Sequence, residues 1–256
     1  MYLMNIVIAM TKKLGETPLE ALNRLRVEVP QYATETLSYA GRLDPMATGV
    51  MLVLVGEANK KRADYLNLEK KYTAEILIGV STDTYDTLGL VTDSVKEQYD
   101  RESIEEIVRE KINGLTGTFS QKYPEFSSKP VFGEPLFVHA RNGRHVTVPV
   151  HDVTVYSSSV LSCVDMSAEI VLSRIHTGIT SVGGDFRQTD IWNTWQSVLG
   201  ESTIHFIVVA VELSVSSGFY IRQYAHDLGV LIGVPACVLS IDRTQVGEWD
   251  KKDCVL

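Results

Sequence analysis

Tyr39-Ala40-Gly41-Arg42-Leu43-Asp44-Pro45-Met46-Ala47-Thr48-Gly49 is the densest motif of the chain. It fixes one acid between two glycines and follows it directly with proline. Proline pushes its predecessor toward extended backbone, so Asp44 belongs to an irregular loop and not to a helix face. Such rigidity suits a catalytic carboxylate, but an isolated Asp-Pro is ordinary turn chemistry, and only the surrounding pattern speaks for more. The next residues, Val50 to Val55, form an apolar run too short for a helix and bounded by Gly49 and Gly56, which reads as a buried strand. The motif is thus a loop feeding a core strand.

Upstream, Tyr2 to Met10 reads as a first strand. Its positive charges, Lys12 and Lys13, follow the apolar stretch, whereas a secretory signal places them before it. Thr17-Pro18-Leu19-Glu20 is a capping box with proline at the first helical position, and predicts a helix through Leu25. Downstream, Glu57 to Leu66 reads as helical. Tyr72 to Val80 alternates as a strand does, and Ser81 to Asp86 is turn chemistry. Ser103 and Glu106 suggest a second capping box opening a helix along Ile104, Ile107, Val108 and Ile112, with Asn113-Gly114 as its stop. Phe119 to Gly143, rich in Pro, Gly, Ser and aromatics, predicts an ordered loop around a short helix.

Arg144 to Ile175 and His205 to Val215 are dense in β-formers and predict strands. Between them, Thr180 to Glu201 contains a helix from Asp190 to Leu199 with Trp192 and Trp195, side chains more often core or interface than nucleic-acid platforms. Phe219 to Leu231 predicts a helix, followed by short strands. With no repeat or linker in view, residues 1–256 read as a single mixed α/β unit.

The composition of the 256 residues, 45% hydrophobic against 22% charged, excludes a disordered or fibrous protein. The longest apolar stretch, Met46 to Val55, is shorter than the ~20 residues a bilayer crossing needs. Cys163, Cys237 and Cys254 are widely spaced, suggesting neither a disulfide framework nor a thiolate metal site and fitting a reducing, cytoplasmic setting. His139, His145 and His151 recur without ligand partners, so they read as surface or RNA-facing residues and no metal is expected. A formal net charge of −8 excludes a protein that grips nucleic acid with its whole surface. It leaves room for a local basic cleft, for which Lys60-Lys61-Arg62, Lys70-Lys71, Lys122, Lys129, Arg141 and Arg144 are the candidates.

Ser216-Ser217-Gly218-Phe219-Tyr220-Ile221-Arg222 joins an apolar strand to a helix and puts Arg222 in the helix's first turn. A cation there opposes the helix dipole unless an anion lies beside it. Arg222 therefore faces either a carboxylate or phosphate, or solvent.

Together these residues resemble the TruB-type tRNA pseudouridine synthases. Gly41-Arg42-Leu43-Asp44-Pro45-Met46-Ala47-Thr48-Gly49 is similar to that family's G-x-L-D-P-x-A-T-G motif. Gly56-Glu57-Ala58-Asn59-Lys60 follows it. Lys71-Tyr72, Gly79 and Thr82-Asp83-Thr84-Tyr85-Asp86 through Gly89 match the next block. Gln121, Pro124, Ser127, Lys129, Gly133 and Ala140-Arg141-Asn142-Gly143 match another, and Gly218-Phe219-Tyr220-Ile221-Arg222 resembles its G-T-Y-I-R. Ser240-Ile241-Asp242-Arg243-Thr244 resembles its closing L-R-R-T, and the matches are collinear from Lys12 to about Gly247.

The resemblance implies an α+β fold with a mixed, largely antiparallel central sheet flanked by helices. It implies isomerisation of a uridine in the T-arm, position 55, of tRNA to pseudouridine, by a monomer with no metal, nucleotide or redox cofactor. Asp44 falls on the nucleophile, Tyr72 on the active-site tyrosine that stacks on the flipped base, and Arg222 on the cation that holds Asp44. Tyr39, Gly41, Arg42, Lys12, Tyr220, Ile241, Lys129, Arg141 and Lys60 become substrate-binding residues. A segment around 119–150 becomes an RNA-binding insertion, and one around 180–201 an insertion of no assigned role.

The chain departs from the family at Tyr39, where a base-displacing histidine is usual, at Lys13 in place of proline, at Cys237 near a common histidine, and at Asp242 in place of arginine. Ending at Leu256, it has little room for the PUA module of many members. Two other readings stand beside this one. A non-catalytic RNA-binding or RNA-folding protein on the same scaffold would keep RNA binding and function in Asp44→Ala. A carboxylate hydrolase would need Asp86 as a second acid opposite Asp44.

Overall fold

The computed structural model describes residues 6–256; the Tyr2 to Asn5 part of the expected first strand lies outside the described residues. The strand is present from Val7 onward (β1, Val7–Lys12). The Thr17 capping box forms as expected and opens α1 (Pro18–Glu28), with the Thr17 hydroxyl accepting from the Glu20 amide and the Glu20 carboxylate from the Thr17 amide. A short strand, β2 (Leu37–Ala40), leads through the Asp44 loop to β3 (Ala47–Val55), buried along nearly its whole length as its apolar run requires. The region expected to be helical from Glu57 to Leu66 is mostly 3₁₀, over Gly56–Lys61, with one α-helical turn, α2 (Arg62–Leu66).

β4 (Lys70–Ile78) alternates faces, and after Gly79 a small ribbon of β5 (Val80–Thr82) and β6 (Val91–Ser94) carries the polar turn. The next helix, α3 (Arg101–Gly114), begins earlier than the Ser103 capping box implies. Asp100 is its capping side chain, accepting from both the amide and the hydroxyl of Ser103, because aspartate satisfies the first-turn amides at least as well as serine does. The 119–150 region is more regular than a loop. It contains β7 (Gly117–Lys122), a two-residue-turn hairpin of β8 (Pro130–Val131) and β9 (Glu134–Pro135), and the expected short helix, α4 (Leu136–Arg141).

β10 (Val150–Ser167) is a long strand, but the expected strand over 168–175 is helical. Ser167 caps α5 (Ala168–Ser181), whose buried Val171, Ile175 and Ile179 follow the helix period despite their β-branching. α6 (Gln188–Leu199) packs back on α5, so the 180–201 segment is the second half of a helical hairpin. β11 (His205–Val215) precedes α7 (Ile221–Ile232), which starts two residues later than expected. The chain closes with an 11-residue strand, β12 (Ala236–Val246), and a short one, β13 (Trp249–Asp250).

The strands build one mixed sheet in the order β1-β3-β12-β4-β11-β10-β7, with β2 on β3 and β13 on β12. Its described pairings are antiparallel except β12 with β3, which is the α+β, largely antiparallel architecture expected. Tyr72, Ala74, Ile76 and Ile78 of β4 face the core under α3 and α7, while Leu77 faces the other side, under α5 and α6. Trp195 is fully buried there, with its indole N–H donating to the Thr87 carbonyl at 3.2 Å. The Asp44 loop emerges where β2, β3 and β12 meet. Gly49 lies against β12 so closely that an added Cβ would stand 2.2 Å from the Arg243 carbonyl, and its φ of +108° would strain any other residue.

No described helix is long and apolar enough to cross a membrane.

Candidate active site

A cavity of about 670 Å³ opens over the Asp44 loop. The loop is a tight turn, with the Ala47 amide donating to the Asp44 carbonyl at 3.0 Å. Arg222, in the first turn of α7 and 4% exposed, donates from Nε to Asp44 Oδ2 at 2.8 Å. The choice between an anion and solvent is thereby made. The same guanidinium donates from Nη1 to the Thr84 carbonyl at 2.9 Å and from Nη2 to the Phe126 carbonyl at 3.3 Å, and lies 3.6 Å from Asp86 Oδ2. Burial opposes its charge, but Asp44 and Asp86 outweigh burial and hold its pKa above the ordinary arginine value.

Two acids thus share one cation, and they differ sharply. Asp86 is buried and accepts from the Thr84 hydroxyl at 2.7 Å and the Leu88 amide at 2.9 Å. Its burial, reinforced by Asp44, pushes its pKa up against the pull of Arg222. Asp44 keeps 42% of its side chain accessible. Asp86 is a spent internal partner, whereas Asp44 is presented to whatever enters the cavity. Tyr72 and Tyr220 also line the cavity. Burial and then Asp44 raise the Tyr220 pKa, so its phenol stays a hydroxyl near neutral pH.

Beneath the loop lie buried cations. Lys12, completely buried, donates from Nζ to the carbonyls of Lys13 at 2.9 Å, Glu16 at 2.6 Å and Pro45 at 3.3 Å. Burial lowers its pKa to about 8. The substrate-binding role expected for Lys12 is therefore corrected: it has no accessible surface, and it anchors the backbone beside Asp44. Arg243 of β12 does the same for the preceding turn, donating to the carbonyls of Val50 at 2.7 Å, Arg42 at 3.3 Å and Gly41 at 3.1 Å. Lys70 is also buried, donates to the Leu66 and Leu68 carbonyls, and has its pKa lowered to about 8, by burial first and Arg243 second.

The outer wall is built from two planar pairs. The Arg187 guanidinium lies 4.6 Å from the Phe126 ring centre, and that of Arg141 lies 5.7 Å from the Phe186 ring centre. Each pair joins the 119–150 region to the turn between α5 and α6. Arg141 also donates to the Asp185 carbonyl at 3.1 Å, and Arg187 forms an ion pair with Asp83 at 2.8 Å while holding a φ of +63°. The 180–201 segment, which had no role on sequence grounds, therefore supplies Asp185, Phe186 and Arg187 to the rim.

The structure brings Asp44, Tyr72, Arg222, Gly41, Arg42, Tyr220, Ile241 and Arg141 to this one cavity. Besides Lys12, it leaves three of the expected substrate contacts outside its lining. Tyr39 packs its ring against the α1 core under Arg62, because its strand pairs with Val53 of β3 and turns that side inward. Lys60 is exposed on the 3₁₀ turn and pairs with Glu57. The Lys129 ammonium lies over the Tyr123 ring at 5.0 Å. His139, expected at the surface, is buried with Nε2 on the Val131 carbonyl, and His151 sits on the Gly218 carbonyl and stacks on Tyr123. Asp242 bonds Thr48 and Lys251, and Cys237 is buried core, its thiol pushed up by burial. Among the described residues no cluster of His, Cys, Asp and Glu could hold a metal ion.

Sequence reasoning missed Arg243 as a site residue, although it lies in a quoted motif, and missed the Asp185–Arg187 turn. The Gly183-Gly184 pair was that turn's only local signal.

A sequence model described as the N-terminal domain of TruB family pseudouridylate synthases matches residues 31–178. The chain is 30% identical to the tRNA pseudouridine synthase B of Listeria monocytogenes serotype 4b over 98% of its own length and 69% of the relative's. It is 28% identical to the enzyme of the same name from Deinococcus radiodurans, over 97% and 76%, and 28% identical to that of Fusobacterium nucleatum, over 95% and 68%. In fold it is similar to a Cbf5–Nop10–Gar1 complex (TM-score 0.55, 18% identity, 96% of this chain and 50% of that one). An H/ACA RNP bound to a substrate RNA containing 2′-deoxyuridine gives a TM-score of 0.54 at 17% identity, over 96% and 48%. The chain spans about half the length of those solved chains.

Proposed function

The chain belongs to the TruB family of pseudouridylate synthases, and from that premise we propose that it isomerises the T-arm uridine at position 55 of tRNA, with Asp44 as the nucleophile. The observation that carries this reading is the Arg222–Asp44 pair: a buried guanidinium bonded to an accessible carboxylate at the floor of a cavity. Arg222 holds Asp44 in place without covering it, and a fixed but accessible carboxylate is what a nucleophile on this floor requires. A uridine must leave the RNA stack before its glycosidic bond can be reached, at a cost of a few kcal/mol that a fitted pocket offsets. Tyr72 and Ile241 offer the flipped base flat and apolar surface. The N1–C1′ bond then breaks, the uracil rotates, and a C5–C1′ bond forms in its place, C5 losing its proton and N1 gaining one.

Arg42 and Arg141, exposed at the cavity edge, meet the RNA backbone, so that the acidic protein presents a basic mouth. The 119–150 region is the RNA-binding element, and residues 1–256 act as one catalytic unit, a monomer in the cytoplasm. The test is to incubate wild-type protein with a T-arm stem-loop and with total tRNA, and to map pseudouridine by position. Conversion at position 55 alone is expected. Conversion elsewhere but not there would overturn the substrate assignment.

A further inference from the structure

Three described non-glycine residues hold positive φ, and two of them have an evident reason. Arg187 gains its ion pair with Asp83 and its seat over Phe126. Tyr85 stacks on His226 at 4.1 Å, and its carbonyl accepts from the Val238 amide. Phe132, with φ of +50°, has nothing comparable. It is 89% exposed, more than any other large apolar side chain among the described residues. The fold therefore carries both a left-handed residue with a bulky Cβ and an aromatic ring in water, and draws packing from neither.

The position explains the backbone. Phe132 and Gly133 are the two central residues of the β8–β9 hairpin, and Gly133 also has positive φ, +85°. Such a turn needs positive φ at both positions, which is why Asn-Gly is its favoured pair. Phenylalanine is the wrong choice for the turn and for the surface, and a partner outside the chain would account for both.

The surroundings indicate which partner. The hairpin is rooted in the cavity rim: the Leu136 amide donates to the Lys129 carbonyl and the Phe137 amide to the Ser127 carbonyl, while the His139 ring bonds the Val131 carbonyl. Ser127, Ser128 and Phe137 line the cavity. Four residues on from Ser128, the tip stands no more than about 14 Å from that rim. Between Gln121 and His145 the chain carries four cations, Lys122, Lys129, Arg141 and Arg144, against Glu125 and Glu134, in a protein of formal net charge −8. An exposed ring on a cationic segment beside a cavity of about 670 Å³ matches the way unstacked bases are held.

We propose that Phe132 is a stacking finger that lays its ring on a nucleobase of the substrate RNA next to the uridine entering the cavity. The inference rests on the pseudouridine synthase reading of that cavity. Tyr39, packed away from the cavity, does not supply this contact, and Phe132 stands on the opposite side of the Asp44 motif in sequence.

The test separates strain from function because the two predict opposite signs. In an Asp44→Asn background that prevents turnover, Phe132→Asn and Phe132→Trp are compared with the parent for thermal midpoint and for Kd toward a T-arm stem-loop RNA. Phe132→Asn is expected to melt higher, since asparagine suits the turn, yet to bind between about 5-fold and 150-fold more weakly, the range of one base–aromatic stack. Phe132→Trp is expected to bind within about 3-fold of the parent, because every aromatic face serves. Binding by Phe132→Asn as tight as the parent's overturns the finger, as does a parent that binds no RNA. The two readings fail separately. Pseudouridine formed by wild type with Kd indifferent to Phe132 removes only the finger, whereas Phe132-dependent binding without pseudouridine supports the finger and removes the enzymatic reading.

Discussion

At the floor of the cavity, the carbonyls of Gly41, Arg42, Pro45 and Val50 are gripped by Lys12 and Arg243, both fully buried, and Asp44 by buried Arg222. At the outer wall, Phe126 and Phe186 are paired with Arg187 and Arg141, side chains that stay in touch with solvent. Charge-assisted bonds shielded from water are stiff and costly to break, whereas solvent-exposed guanidinium–ring pairs contribute about 0.5–1 kcal/mol and can exchange partners. The contrast suits a division of labour. On the proposed reading, the floor would fix one carboxylate for chemistry and the wall would offer planar faces to bases.

The largest expected effect lies at the floor. Arg222→Ala leaves Asp86 buried beside an uncompensated void, and breaking a buried pair in this way costs about 3–5 kcal/mol. Denaturant unfolding should show that loss together with loss of activity. A drop below about 1 kcal/mol would mean that the floor is no stiffer than the wall.

Lys70 gives a pH test of the same region. Its folded pKa of about 8 is below the ordinary lysine value. Below pH 8 both states hold the proton, and the burial penalty on the ammonium is fully present. Between about 8 and 10.5 the unfolded chain still binds the proton and the folded one does not, so stability rises with pH. Wild-type stability should therefore gain on that of Lys70→Met by on the order of 1–2 kcal/mol between pH 8 and pH 10. A constant gap would show that the ammonium is not desolvated.

At the wall the effects shrink. Arg187→Ala removes a half-buried ion pair and a ring contact, and should cost about 1 kcal/mol of stability. It should weaken RNA binding more than it slows turnover at saturating RNA, and the reverse order would place the wall in the chemistry. Tyr39→His should be smallest of all. With the ring packed under Arg62 and outside the cavity, turnover should stay within about 2-fold of wild type, and a marked acceleration would bring Tyr39 back to the substrate.

The same contrast governs what the sequence disclosed. Asp44 was readable because its loop is defined by consecutive residues, Gly41 to Gly49. Arg222 was readable only in part: a cation in a helix's first turn left an anion and solvent both open, the resemblance paired it with Asp44, and the structure supplies Asp44 for it. The Thr17 capping box and the buried strand at Val50 to Val55 are likewise local. The wall was not readable, since Arg141–Phe186 and Phe126–Arg187 are pairs made only by folding. The β-branched residues of 168–175 imitated a strand, although tertiary burial of Val171, Ile175 and Ile179 makes them a helix. Lys12 was given to the substrate by the resemblance and His139 to the surface or the RNA, because neither motif nor polarity reports burial, and their carbonyl partners come from backbone that sequence does not display.

The most direct test of the account is pseudouridine formation by Asp44→Asn, with RNA binding measured in parallel. The substitution keeps the shape of the side chain and a hydrogen-bond acceptor for Arg222 while removing the proposed nucleophile. The account predicts RNA bound within about 3-fold of the wild-type affinity and no pseudouridine above background. Measurable turnover by Asp44→Asn would contradict it.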